Sequence, residues 1–142
     1  MTNAFSAYKK QSITTLTPGE VVVRLYMEAE RQLNRASYYI PQKNFEGANK
    51  ALTKAQDVVN ALRSCLDMKI PISKNLDSLY EYFNREIVEA NVKKDKAKVD
   101  ALIPMIAELR EAFQEINSMP REQMAAQQSA PQDPQGIAAP QG

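Results

Sequence analysis

The side chains that carry acid–base, nucleophilic and metal chemistry in most proteins are scarce in this sequence. There is no histidine, which removes the commonest general base and excludes a phosphorelay histidine domain or a di-iron bundle built on Glu-x-x-His. The single cysteine, Cys65, has no second cysteine for an internal disulfide and no histidine to activate it. Its neighbours Leu62 and Leu66 favour a buried or groove-lining thiol. The sequence therefore predicts no catalytic residue, no metal site and no cofactor.

The basic side chains offer two further kinds of chemistry, a phosphate site and a grip for dicarboxylates. Four lysines at positions 93, 94, 96 and 98 are interrupted by Asp95, which favours a solvated loop between helices over a phosphate site. A small all-α enzyme could instead hold a dicarboxylate with arginines. The candidate arginines are Arg24, Arg31, Arg35, Arg63 and Arg85. Most of them lie outside the apolar stripes described below, so they are expected to face solvent. We therefore predict a binding protein, with the small enzyme as the less favoured alternative.

The overall charge argues against a nucleic-acid or membrane partner. Lys and Arg number 18 and Asp and Glu number 17, so the net charge is +1. Such a balance provides no long-range attraction for nucleic acid or an anionic bilayer. Residues 1–6 lack the basic and apolar regions of a signal peptide, and no apolar run approaches the ~20 residues that cross a bilayer. We expect a soluble cytosolic protein with no membrane insertion.

Hydrophobic periodicity predicts four amphipathic helices, of which the first two have the clearest boundaries. The first begins at Thr17, where Pro18 and Glu20 complete a capping box, and it ends before Pro41. Its apolar stripe is Val22, Leu25, Tyr26, Ala29, Leu33, Ala36 and Ile40. Asn44 caps the second helix, whose main stripe is Phe45, Ala48, Leu52, Ala55, Val59, Leu62 and Leu66. A flanking stripe of Ala51, Val58 and Cys65 exceeds what a core seam needs and could line a groove.

The third and fourth helices follow the same pattern. Ser73 is expected to cap the third, after a break at Pro71, and Asp95 to cap the fourth. Their stripes are Leu76, Leu79, Tyr80, Phe83, Ile87 and Ala90, then Val99, Leu102, Ile106, Leu109, Phe113 and Ile116. Pro104 interrupts the last stripe without changing its register, so a kink is expected. Short connections predict an all-α, antiparallel up-down four-helix bundle.

The two ends of the chain differ from its middle. Residues 1–16 form a polar N-terminal arm that carries Phe5, Tyr8, Ile13 and Leu16, so we expect it to pack on the bundle. Residues 17–118 are the predicted bundle. Residues 119–142 are rich in Gln, Ala and Pro and bury too little apolar surface to offset the entropy of ordering. They are expected to be mostly disordered.

Several short strings occur in the order that is found in one family. They are YKKQSITTLTP at 8–18, LY at 25–26, KAQDVV at 54–59, LD at 66–67, NLDSLYEY at 75–82, AN at 90–91 and LREAF at 109–113. Over about residues 5–117 this ordered set resembles the FliS family of flagellin export chaperones. The chain departs from the family pattern at Met27-Glu28, where Asp-Gly is usual, at Phe113, where tryptophan is usual, and at Pro104.

The resemblance implies a cytosolic chaperone for flagellar type III export. Its partners would be the disordered C-terminal segment of flagellin, kept from polymerising early, and the cytosolic part of the export gate. The client would lay the apolar face of a helix into a groove of the bundle. The residues expected to contact the client are Tyr8, Ile13, Tyr26, Val58, Asn75, Leu79, Tyr80 and Tyr82.

Each of these residues also has a purely structural interpretation. Tyr8 and Ile13 could simply anchor the terminus, Val58 and Tyr80 could belong to the core, and Asn75 could cap a turn. Tyr26, Tyr80 and Tyr82 suit a groove rim because each combines an apolar ring with a polar tip. A generic helical adaptor for another protein client would differ from the chaperone only in its partner, so both functions remain open from the sequence.

Overall fold

Four helices account for nearly all of residues 17–119, the part of the chain that this computed structural model describes. They are α1 (Pro18–Tyr39), α2 (Phe45–Ser64), α3 (Ile72–Lys93) and α4 (Lys96–Asn117). No strand occurs among these residues. Each helix is antiparallel to the next, α1 packs against α2 and α4, and α3 completes the bundle against the same two helices. The predicted all-α bundle is confirmed, whereas the expectations for the N-terminal arm and the C-terminal tail lie outside the described residues.

The helix starts follow local capping chemistry. The Thr17 backbone N–H donates to Glu20 Oε1 at 2.9 Å, and the Glu20 N–H donates to Thr17 Oγ1 at 3.2 Å, so the predicted capping box is present. Asn44 Oδ1 accepts from the Gly47 N–H at 3.0 Å. Asp95 Oδ1 accepts from the first amides of α4. These three predicted caps are confirmed because each depends only on residues next to it in the chain.

Two details of the predicted helix ends are wrong. Ser73 does not cap α3, because the helix begins at Ile72, two residues earlier than that cap would place it, and Pro71 occupies the cap position without a side-chain bond. The Ser73 hydroxyl is buried and donates to the Asp67 carbonyl at 2.7 Å, which ties the loop after α2 to α3. Phe45 is 47% exposed, although it was expected in the core, because it is the first residue of α2 and lies beyond the last packed layer.

The core is continuous through all four helices and has aromatic rings at its centre. Tyr26 of α1 packs against Phe113 of α4 and Tyr80 of α3, with ring centroids 5.5 and 6.3 Å apart. Val99 and Ile106 on either side of Pro104 are both buried, so α4 keeps one register across the proline. No helix within residues 17–119 is long and apolar enough to cross a membrane.

Ion pairs connect neighbouring helices around this core. Arg110 of α4 contacts Glu30 of α1 at 3.0 Å, and both side chains are mostly buried. Arg63 of α2 contacts Asp77 of α3 at 2.8 Å, a pair that is more exposed. Such pairs add little net stability at the surface, but they favour one set of helix neighbours over another.

Candidate functional site

One face of α3 carries three of the residues that the sequence singled out. Asn75, Leu79 and Tyr82 are spaced by four and three residues, so they lie along one side of the helix. Glu86 continues this side by one more turn, and its carboxylate contacts Lys98 of α4 at 2.9 Å. The side that bears Asn75, Leu79 and Tyr82 therefore faces the seam between α3 and α4.

The seam between α3 and α4 is the least closely packed of the four seams in the bundle. Near the short turn at residues 94–95 it is closed by Lys98, which also lies 3.5 Å from Glu89. Further from that turn, no ion pair or side-chain hydrogen bond within residues 17–119 joins the two helices. Leu79 and Tyr82 line the α3 wall, and each is half-buried against the core with part of its side chain left accessible. We call this seam the α3–α4 groove.

The α4 wall of the groove is also apolar. Met105 follows Lys98 by seven residues, so both lie on the side of α4 that faces α3. Leu109 lies one turn further along the same side, and both are half-buried against the core. The helical spacing of the sequence predicts a core position for Leu109 and does not single out this wall. The seven-residue spacing shows that Met105 and Lys98 share one side of α4, but it does not show which helix lies against that side.

Tyr82 has the amphipathic surroundings that were expected of a groove rim. Its ring packs against Phe83 with centroids 6.1 Å apart, and the Arg85 guanidinium carbon lies 5.8 Å from the ring centroid. This distance allows a cation–π contact at the surface. The apolar part of the ring is thus held by the core side of α3, while its outer edge remains available to a partner.

Tyr26 and Tyr80 do not lie at a rim. The expectation of a rim position is wrong for Tyr26, whereas for Tyr80 the alternative of a core position is confirmed. Their exposed fractions are 0% and 1%, and their hydroxyl groups hydrogen-bond to each other between α1 and α3. Burial raises the pKa of both phenols above the ordinary tyrosine value. Because each hydroxyl satisfies the other, both rings can be fully buried, and the sequence could not show that the two would meet.

Val58 lies on a different side of the bundle. It follows Ala51 by seven residues, and Ala51 borders a surface cavity together with Arg35 of α1. Val58 therefore lies on the flank of α2 that faces α1, half-buried against the core. The third member of this flank, Cys65, is exposed, so the buried alternative for its thiol is wrong and the groove-lining one stays a prediction. The structure does not bring Val58 together with Leu79 and Tyr82.

Asn75 is exposed near the start of α3, at the open end of the α3–α4 groove. Thr17, where the arm joins α1, lies at this same end of the antiparallel bundle. Tyr8 and Ile13 are outside the described residues, so their contact with a client remains a prediction.

The four lysines on either side of Asp95 have ordinary surface partners, and that of Lys98 is given above. Lys93 contacts Glu89 at 3.1 Å, Lys96 contacts Asp100 at 2.6 Å, and the Lys94 ammonium donates to the Asn91 backbone and side chain. This arrangement fits the predicted solvated turn between helices. Within residues 17–119, no group of three or more Cys, Asp or Glu side chains could hold a metal ion.

Comparison with known proteins agrees with the motif order. The family model described as flagellar protein FliS matches residues 1–120. A flagellar secretion chaperone FliS from Vibrio cholerae is 34% identical over 122 residues, which cover 82% of this chain and 90% of the relative. The one from Bacillus subtilis is 29% identical over 113 residues, covering 80% and 85%. The one from Salmonella typhimurium is 25% identical over 111 residues, covering 76% and 82%. A match of this extent shows that the chain belongs to the flagellar protein FliS family.

Proposed function

We propose that this chain is a cytosolic chaperone for flagellar type III export. In this proposal it binds the disordered C-terminal segment of flagellin, prevents its premature polymerisation and aids its delivery to the export gate. Family membership supports the chaperone class, since the curated relatives are named flagellar secretion chaperones. The observation that carries the proposal is the apolar α3–α4 groove, whose walls include Leu79 and Tyr82.

The groove suits an amphipathic helix better than a small molecule. Its side chains are half-buried and follow the helix axis, so a client could place apolar residues at three- and four-residue spacing along it. Binding a disordered segment loses about 2–5 kcal/mol to ordering, which favours a long contact over a compact pocket. Asn75 at the open end could hydrogen-bond the client backbone, and the arm with Tyr8 and Ile13 could fold over the bound segment.

Tyr26, Tyr80 and Val58 have different places in this proposal. The tyrosine pair holds α1 and α3 together beneath the groove, so it would act on the client through the position of α3. Val58, on the α1-facing flank of α2, would contact only a client long enough to wrap beyond the groove. Wrapping of this kind accords with the expectation of an extended interface.

The proposal is tested by titrating the full chain with a synthetic peptide of the last 40 or so residues of its flagellin. Calorimetry should show saturable one-to-one binding, and circular dichroism should show more helix in the mixture than in the two components. A peptide of the same composition in scrambled order is the control. If the folded protein binds neither peptide, or binds both equally, the flagellin assignment is wrong.

A further inference from the structure

A second concave surface lies at the opposite end of the bundle from the open end of the α3–α4 groove. It is an open cavity of about 370 Å³ between the end of α1 and the start of α2. Its volume is at the lower end of the ~300–1,000 Å³ that ligand pockets occupy. Gly47 forms part of the wall, where an added Cβ would lie 3.0 Å from Tyr39 Cδ2 and 2.8 Å from Asn44 Nδ2.

A buried carboxamide with an unused acceptor borders this cavity. Gln32 is 1% exposed, and its Nε2 donates to Glu28 Oε2 at 2.8 Å. This bond determines the orientation of the amide, because only the nitrogen can donate to a carboxylate. Gln32 Oε1 is buried and has no hydrogen-bond partner among the described residues. A buried acceptor without a partner is destabilising, so the cavity is suited to a ligand that brings an N–H group.

The cavity is also positively charged. Arg35, Lys50 and Lys54 border it, against one acidic side chain, Glu46. Within residues 17–119, Arg35 and Lys54 have no carboxylate within ion-pair distance. Lys50 lies 3.9 Å from Glu46, and both of these side chains are largely exposed, so this pair neutralises little. Two cations are therefore available to an anionic ligand.

The Arg35 side chain is already positioned by its neighbour. Its guanidinium carbon lies 6.0 Å from the centroid of the Tyr39 ring, and its Nη2 approaches the Tyr39 hydroxyl at 3.5 Å. Both contacts are long, so they guide the guanidinium without using up its donors. Arginine has five N–H donors in a fixed fork, which is well matched to a carboxylate.

We propose that this cavity binds a short acidic peptide segment. The carboxylates pair with Arg35 and Lys54, and a peptide N–H donates to Gln32 Oε1. An acidic residue within a chain supplies an anion and a nearby N–H donor together, which a simple anion does not. The open mouth allows a longer chain to pass through. This site does not depend on the proposed flagellin groove, because it lies between α1 and α2 whereas the groove lies between α3 and α4.

Nuclear magnetic resonance of the full chain tests the proposal. The probe is a capped hexapeptide of alternating Glu and Gly, and its counterpart with Gln in place of Glu is the control. The Glu peptide should shift the Gln32 side-chain amide and the backbone amides of Gly47 and Lys54 in a saturable manner. Arg35→Gln and Lys54→Gln should each weaken binding about two- to fivefold. Lys74→Gln, at an exposed lysine near the other end of the bundle, should leave the affinity unchanged.

Three outcomes overturn the assignment. Equal shifts with the Gln peptide would show that charge is not recognised. Equal shifts with inorganic phosphate at the same concentration would identify a simple anion site. Unchanged binding by Gln32→Leu, which replaces the unpaired acceptor by an apolar group, would exclude the N–H contact. Titrations of the same variants with the flagellin peptide distinguish the two sites. Arg35→Gln should weaken binding of the acidic peptide and retain the affinity for flagellin.

Discussion

The buried tyrosine pair between α1 and α3 offers a stringent test of how the bundle is held together. Tyr26 and Tyr80 each place a phenol in the core, and each hydroxyl is satisfied by the other. Changing either tyrosine to phenylalanine removes one hydroxyl and leaves the second buried without a partner. Changing both removes the polar groups together and keeps the rings.

These two kinds of change differ in their expected cost. Leaving one buried polar group unpaired costs about 1–3 kcal/mol, whereas removing both partners of a hydrogen bond can be nearly neutral. Tyr26→Phe and Tyr80→Phe should therefore each lower the free energy of unfolding by about 1–3 kcal/mol. The double variant should lie close to the parent. For a domain of roughly 100 residues, 1 kcal/mol corresponds to a shift of about 4–8 °C in the melting temperature.

Urea unfolding followed by far-ultraviolet circular dichroism measures the three variants and the parent under the same conditions. The dependence of the unfolding free energy on urea should keep one slope throughout, because the surface exposed on unfolding is unchanged. The coupling energy from the double-mutant cycle should be large and should offset the single losses. If the two single losses simply add in the double variant, the hydroxyl groups are not paired and the reasoning is refuted.

The same pair predicts a dependence on alkaline pH. Burial raises the pKa of both phenols in the folded protein, while an unfolded tyrosine ionises near pH ~10. The unfolded state is therefore favoured once the pH exceeds about 10, and the free energy of unfolding should fall there. The double phenylalanine variant should lose less stability between pH 9 and 11 than the parent. If the parent and the double variant lose the same free energy of unfolding over this pH range, the two tyrosines are not the cause of the loss.

Three further predictions concern other parts of the bundle. The Arg63 guanidinium lowers the pKa of Asp77, so the stability from this pair is present above about pH 4 and is lost as the pH falls further. Melting curves of Asp77→Asn should change less than those of the parent between pH 5 and 2.5, and an equal change would count against the pair. Gly47→Ala should lower the unfolding free energy by about 1–3 kcal/mol, because its Cβ would press on Tyr39, and no loss in urea unfolding would show that the turn relaxes freely. Hydrogen exchange should protect amides on both sides of Pro104, and free exchange throughout residues 97–116 would contradict a packed α4.

The elements could be predicted from the sequence because their signals are local. Thr17, Asn44 and Asp95 cap helices with bonds to residues two or three positions away, and these bonds do not depend on the rest of the fold. Ser73 has the same chemistry but donates to Asp67 across a loop instead. The geometry of that loop depends on how α2 and α3 pack against each other. The residues next to Ser73 in the sequence carry no information about that packing.

The candidate site was only partly predictable for a related reason. The spacing of Asn75, Leu79 and Tyr82 places them on one face of α3, and the structure shows which seam that face borders. An apolar flank on a helix does not say whether the next or the preceding helix lies beside it. Val58 was therefore grouped with residues of the groove although it lies on the α1 side of α2. The partnership of Tyr26 with Tyr80, 54 residues apart, likewise exists only in the folded chain.

The central claim is that flagellin binds through the α3–α4 groove, and groove variants test it most directly. Leu79→Ser and Tyr82→Ala remove apolar surface from the α3 wall, while Val92→Ser removes it from a position on α3 that is 77% exposed near the far end. Calorimetric titration with the flagellin C-terminal peptide should show each groove variant binding about 5- to 30-fold more weakly, as for residues central to an interface. Val92→Ser should bind like the parent. If all three folded variants bind with the affinity of the parent, the client does not use this groove.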